Sequence, residues 1–295
     1  DPQRRAGDVR TALNDLSNFI SAQKEDGGCD EGPGYWQRAA GSLLDCLVVM
    51  DAATGGATAD VFEDPQLAEL GRFIYRAHLG GDWYVNFSDA SPILRPNPGL
   101  VYRFGKRLAD PDLKAFGSWL AHRFDWEEEA PAGPLPRRIP ALFAREEILS
   151  TPPRAPLPHR VWLPETEFFV ARSEEGTTDG WTLAAKGGHN EESHNHNDVG
   201  SFVVFHKGAP VLVDAGPERY TRKTFSGERY SIWTMQSAWH NLPTINGCSQ
   251  QPGRQHRGRV LSQRSDAVSA ELKLDIAPAY PPEAEIVRWH RTFFF

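Results

Sequence analysis

The apolar positions of this chain keep one rhythm over its first half and another over its second. Val9, Leu13, Leu16, Phe19 and Ile20 recur at 3.6-residue spacing, which predicts an amphipathic helix from Val9 to Lys24, ended by Gly27-Gly28. Trp36 to Met50 reads as a second helix, with Leu43, Leu44, Leu47 and Val48 inward. Asp64-Pro65 and Asp110-Pro111 each pair a capping Asp with Pro at the first helical position, predicting helices to about His78 and His122. Four or five helices joined by Gly- and Pro-containing loops give a layered helical unit over residues 1–150, without a strict repeat.

Residues 124–160 are Pro-rich (EEEAPAGPLPRR, STPPRAPLPHR) around a short apolar segment, Ile139 to Leu149, and read as a linker or domain crossing. Beyond Arg160 the pattern shortens to strands. The candidates are Glu167–Ser173, Trp181–Lys186, Gly200–His206, Pro210–Asp214, Arg259–Gln263, Ala267–Leu274 and Glu285–Phe295. The last places Val287, Trp289, Arg291 and Phe293 on one face. No useful helix separates these strands, so the sheet is expected to be antiparallel, most simply a sandwich.

Composition changes this picture little. With 295 residues and 40% hydrophobic content, the chain can build a sizeable core. A net charge of −7 weighs against a nucleic-acid partner, and no window approaches a membrane span. Cys29, Cys46 and Cys248 are too few for a disulfide scaffold. The chain starts at Asp1 and stops inside an expected strand, so both ends read as cuts through a longer protein.

Candidate chemistry concentrates between Lys186 and Pro243, which holds five of the ten histidines: His189, His194, His196, His206 and His240. On a strand, His194 and His196 would share a face. With Asp214 and the distant His240 they fit a zinc site built from imidazole and carboxylate. A buried, hydrogen-bonded polar cluster without metal fits equally. Asn190, Asn195 and Asn197 suit ligand orientation or sugar hydroxyls. Arg219, Tyr220, Arg222, Lys223, Arg229 and Tyr230 suit a carboxylate or sulfate, or else a solvated face. The run Arg254, His256, Arg257 and Arg259 reads as surface. Two loops of the helical half, DGGCDEGPGYW (Asp26 to Trp36) and GDWYVNFSDASP (Gly81 to Pro92), have the content of cleft rims. The plainer reading makes Tyr35 and Trp36 a core-packing pair.

HNHNDVGSF, LVDAG, YTRKTFS and ERYSIWTMQSAWHNLPTING, with DGGCDEGPGYW upstream, resemble the heparinase II/III-like family of polysaccharide lyases. The resemblance implies an α+β multidomain protein, an incomplete (α/α) toroid followed by an antiparallel β-sandwich. Residues 1–150 would be the C-terminal part of the toroid and 151–295 the sandwich, truncated at its C-terminus. It implies β-elimination at a uronic acid of an acidic polysaccharide, glycosaminoglycan or alginate, met in a bacterial periplasm or outside the cell. By motif match, His196, Asp214 and His240 would hold a structural zinc, and Tyr35 and His194 would be catalytic. Glu31, Asn195, Arg219 and Arg222 would hold substrate. The family's carboxylate-neutralising Asn or His has no counterpart in the residues before Glu25, where Asn14 and Asn18 lie too near the tyrosine loop. Two other classes stay open: a hydrolase using Asp26, Asp30 and Glu31, and a non-catalytic carbohydrate-binding protein stapled by zinc.

Overall fold

The computed structural model describes residues 1–124 and 134–295. Seven α-helices are described in the first part: α1 (Pro2–Ser21), α2 (Ala40–Ala53), α3 (Pro65–Arg76), α4 (Pro98–Arg107), α5 (Pro111–Arg123), α6 (Leu135–Phe143) and α7 (Arg145–Ser150). Four begin with the same device. Asp1, Asp64, Asn97 and Asp110 each accept a backbone N–H of the first turn at 2.8–2.9 Å, and Pro occupies the next position, where an N–H would go unused. Helices α4 and α5 pack very closely. A Cβ at Gly105 would lie 2.6 Å from the Lys114 nitrogen, and one at Gly117 2.6 Å from that of Tyr102.

Three expectations need correction here. Only the end of α1, Leu16 and Ile20, packs on the core, while Val9 and Leu13 are exposed. The Pro-rich stretch is not all linker, because α6 and α7 place Ala141 and Ile148 against Tyr102 and Ala121. Pro136 sits in the first turn of α6, where proline is tolerated, although Pro140 lies inside the helix. The part of that stretch at 125–133 lies outside the described residues. Third, His78 does not end α3 but opens β1 (His78–Gly80), paired with β2 (Trp83–Tyr84).

The second part contains an antiparallel five-stranded sheet, in the order β3 (Arg160–Leu163), β4 (Phe168–Arg172), β5 (Trp181–Lys186), β7 (Phe202–His206), β8 (Ala209–Leu212). A second sheet holds β10 (Arg259–Ser265), β11 (Ala270–Asp275) and β12 (His290–Phe294). The short β6 (His189–Asn190) pairs with β9 (Gly253–Arg257), which carries Arg254 and Arg257 at the surface, as expected, while His256 is half-buried. The expected strand 285–295 is shortened: it starts only at His290, and Val287 is fully exposed.

Both faces of the large sheet are covered. Phe168, Val170, Ala184, Val203 and Phe205 join the helical core, where the Phe168 ring meets Phe73 at 5.7 Å and Phe87 at 6.3 Å. Phe169, Ala171, Leu183 and Ala185 face the second sheet through Leu272, Leu274 and Phe293. This explains why every residue of β4 is buried, where a sheet with one wet face would alternate. The buried Arg172 crosses the seam between helices and sheet. Its guanidinium donates to the carbonyls of His78 and Leu79, and burial pulls its pKa down to about 10.

Candidate active site

The loop before α2 is held from both sides. The Asp26 carboxylate accepts the N–H groups of Gly28 at 2.8 Å, Glu165 at 2.7 Å and Thr166 at 3.1 Å, tying the loop to the β3–β4 turn. Trp36 is buried and donates its indole N–H to the Leu70 carbonyl at 2.7 Å. Its neighbour Tyr35 is only half-buried and points its hydroxyl away from the core, so the aromatic pair divides between core and site. Asp30 pairs with Lys24 at 3.6 Å. Of the three acids in this loop, Glu31 is the one in contact with His194, with Oε2 3.5 Å from His194 Nε2.

His194 and His196 are not on a strand. They occupy the loop between β6 and β7, and His194 has φ 55°, a left-handed conformation unusual for a side chain of this kind. They nevertheless converge on one group, Asp89, whose own neighbour Ser88 has φ 58°. Asp89 Oδ2 lies 2.7 Å from His194 Nδ1, and its Oδ1 lies 2.9 Å from His196 Nε2. Arg229 donates to Oδ1 at 3.1 Å and the Tyr220 hydroxyl to Oδ2 at 2.8 Å. The Asp89 side chain has no exposed surface. Burial alone would raise its pKa, but the His196 hydrogen bond, the Arg229 charge and the Tyr220 hydroxyl overcome this and lower it to about 2. An ionised carboxylate only accepts, so both imidazoles present N–H to it. His194 is therefore left with Nε2 facing Glu31, and the Tyr35 ring lies 4.5 Å from the His194 ring. The Tyr35 and Tyr220 hydroxyl oxygens are 2.5 Å apart.

Beneath this group, His240 Nδ1 lies 2.7 Å from Asp214 Oδ2, and the His196 and His240 rings are 5.4 Å apart. Burial opposes charge on His240, yet Asp214 prevails and raises its pKa. His196 Nδ1 and His240 Nε2 are both buried without a hydrogen-bond partner. Two buried imidazole nitrogens, each opposite a carboxylate-bound N–H, are zinc-type donors. As arranged, no group of three or more His, Cys, Asp or Glu among the described residues is close enough to hold a metal. Two tetrahedral zinc ligands stand about 3.3 Å apart, so the 2.7 Å His240–Asp214 contact is a hydrogen bond and not a ligand pair. Two of the three expected ligands fit a zinc through their free nitrogens, while Asp214 fits as the carboxylate that orients His240.

A second buried charge cluster anchors the histidine loop. Lys186 Nζ lies 2.7 Å from Glu192 Oε2 and 2.8 Å from Asp198 Oδ1, with all three side chains nearly inaccessible. The Asp198 contact is an ion pair without hydrogen-bond geometry. Burial, the main cause, pushes the Glu192 carboxyl up to about 7 against the pull of Lys186. Lys186 itself would be lowered by burial, but the two carboxylates raise it. Lys186 and Glu192 also line a cavity of about 30 Å³, with Cys29, Asp30 and Ser88.

Residues 155–295 match the family described as heparinase II/III-like, C-terminal. The C-terminal stretch of this chain is therefore similar to the heparinase II/III-like C-terminal domain. Among solved structures, a heparinase III described as the BT4657 gene product superposes with a TM-score of 0.67 at 17% identity, over 96% of this chain and 38% of that one. A second heparinase III gives 0.66 at 16% identity, over 95% of this chain and 40% of that one. Heparan sulfate lyase HepC from Pedobacter heparinus gives 0.64 at 17%, over 97% and 39%. The likeness therefore extends through the helices, and the chain spans about two fifths of the length of these structures. A search of the curated proteins returned no match.

Across the matched region and the helices before it, the expected residues divide into three groups. Tyr35, His194 and Glu31 come together. Asn195 is buried beside them and donates to the Tyr230 hydroxyl at 3.0 Å and to Asn197 at 3.4 Å, so its amide is used inside the loop. Arg219 and Arg222 are exposed and make no ion pair or hydrogen bond with the described residues; the arginine that enters the cluster is Arg229. Asp89 was not singled out in the sequence, although its loop was. Its partners lie 105 to 140 residues away, and one Asp among 39 acidic residues carries no local signal. The Ser88-Asp89 turn between Asn86 and Pro92 was the only hint.

Proposed function

We propose that this chain is the C-terminal part of a polysaccharide lyase that cleaves a uronic-acid-containing acidic polysaccharide by β-elimination. Residues 1–150 would close an (α/α) toroid, and residues 151–295 form its sandwich domain. The observation that carries the reading is the pairing of Tyr35 with His194, held by Asp89 where the helices meet the large sheet. A half-buried phenol beside an oriented imidazole is a general acid–base pair. In its phenolate form Tyr35 takes the C5 proton of the uronate. The C5 electron pair forms the C4=C5 double bond as the C4–O bond breaks, and Tyr35 returns the proton to the leaving oxygen. His194, its orientation fixed by Asp89, presents Nε2 to the sugar with Glu31 alongside. Arg219 and Arg222, exposed on the neighbouring loop, suit the acidic groups of the polymer. Such polymers are met in a bacterial periplasm or outside the cell, and no described helix is long and apolar enough to cross a membrane.

A hydrolase needs two free carboxylates flanking the bond. Asp26 is occupied by backbone N–H groups and Asp30 by Lys24, which leaves Glu31 alone, so this reading loses support. Zinc in this proposal is structural: His196 and His240 would hold it, with Asp214 orienting His240, and it would fix the floor of the site. Metal analysis should find about one zinc per chain, and His240→Ala should lose it; a metal-free wild type would sink this part.

Ultraviolet absorbance of the conjugated double bond tests the reaction. Incubated with a panel of uronate polysaccharides, the full-length protein is expected to give rising absorbance with at least one, and Tyr35→Phe to abolish it. Reducing ends without absorbance would mean hydrolysis, and no product of either kind would leave a binding protein.

A further inference from the structure

We propose that Tyr220 is a positioning residue that directs the Tyr35 hydroxyl proton and donates to Tyr35 when it is ionised. The inference rests on the lyase reading and gives Tyr220 a role other than the carboxylate or sulfate contact that its loop suggested. The Tyr220 oxygen lies 2.5 Å from the Tyr35 oxygen, 2.8 Å from Asp89 Oδ2 and 3.1 Å from His194 Nδ1. A phenol has one proton and one oxygen to share among these three. Asp89, being ionised, can only accept, so in the resting arrangement Tyr220 donates to Asp89 and accepts from Tyr35. The proton of Tyr35 then points away from the open side of the site. When Tyr35 is ionised, rotation of the Tyr220 hydroxyl turns the same proton toward the phenolate and replaces a neutral contact by a charge-assisted one.

Asp89 tolerates this rotation. Its Oδ2 keeps the N–H of His194, and its Oδ1 keeps His196 and Arg229. The ring of Tyr220 does not move with its hydroxyl. Phe225 stands edge-on to it at 5.2 Å and to His194 at 5.3 Å, bracing both. The alternative use of Tyr220, as a base in its own right, is disfavoured. Burial, the hydrogen bonds to Tyr35 and Asp89, and the Asp89 charge all hold its proton on. The proton balance of the elimination is unchanged: Tyr35 takes the C5 proton and returns it to the leaving oxygen, while Tyr220 keeps its own throughout.

The test is Tyr220→Phe, which keeps the ring and its packing on Phe225. With a uronate polysaccharide that the wild type cleaves, kcat is expected to fall roughly 10- to 100-fold. KM should stay within about twofold, and the acidic limb of the kcat profile should move up by about one pH unit. A residue that only filled space would leave that limb in place. A second measurement is independent of turnover. The phenolate difference absorbance that Tyr35→Phe removes should appear at higher pH in Tyr220→Phe than in wild type. An unchanged kcat profile, or an unchanged phenolate titration, overturns the role of Tyr220. If the wild type forms no unsaturated product from any polysaccharide, the lyase reading fails, and the phenolate titration alone decides whether Tyr220 directs the Tyr35 proton.

Discussion

Two buried charge clusters lie close together in this molecule and are built in opposite ways. Around Asp89, one carboxylate receives two imidazoles, a guanidinium and a phenol. Around Lys186, one ammonium is shared by two carboxylates. The first has donors in excess, and its acid is held at about 2; the second has acid in excess, and Glu192 is pushed up to about 7. The difference separates two tasks. A carboxylate saturated with donors fixes tautomers and ring orientations, which a catalytic group requires. A lysine with a spare carboxylate ties down the loop that carries those rings and tolerates the loss of one partner.

The comparison breaks most visibly at Asp89. Asp89→Asn puts an amide N–H against donors and removes the reason for the His194 tautomer. Turnover on a cleaved polysaccharide is expected to fall by roughly 10²–10⁴-fold, measured as initial rates of double-bond formation. A loss below tenfold would mean that Asp89 is structural only. Next in size is Lys186→Met, which leaves Glu192 and Asp198 facing each other without a cation. Denaturant unfolding at pH 8 should show a loss of about 3–5 kcal/mol, shrinking as the pH is lowered and Glu192 protonates.

The smallest effect is the sharpest comparison. Glu192→Gln leaves Lys186 with Asp198, so stability at pH 8 should change by about 1 kcal/mol or less. The pH dependence of the wild type should show both clusters with opposite sign. Glu192, raised from 4.5 to about 7, contributes stability that is complete below about pH 4.5 and is lost as pH rises through 7. Asp89, lowered from 3.8 to about 2, contributes stability that is present above pH 4 and is lost as pH falls through 2. Glu192→Gln should flatten the first slope and leave the second. Equal slopes in the variant and the wild type would remove Glu192 from the account.

What the sequence carried locally was readable, and what depends on distant closure was not. The Asp-Pro helix starts at Asp64 and Asp110 are local and stand where expected. The strand Trp181–Lys186 was placed to the residue. His194 and His196 were rightly paired, but for the wrong reason: a shared strand face was expected, and instead a left-handed turn sends both to one carboxylate 105 and 107 residues upstream. Arg219 and Arg222 could not be told from Arg229 by charge, because only burial distinguishes them. Helices α6 and α7 were hidden because proline content outweighs a short apolar period in any reading of composition.

The large sheet, covered on both faces, sets a condition on how the chain is made. A ribosome delivers roughly 5–20 residues per second. About 80 residues separate the end of α5 at Arg123 from Phe205, the last sheet residue in the helical core. The helices therefore wait roughly 4–16 s with Phe73, Ile74 and Phe87 still without the sheet that covers them. The strands that end the wait must find a surface already formed, so the helical layer acts as the template on which the sheet is assembled.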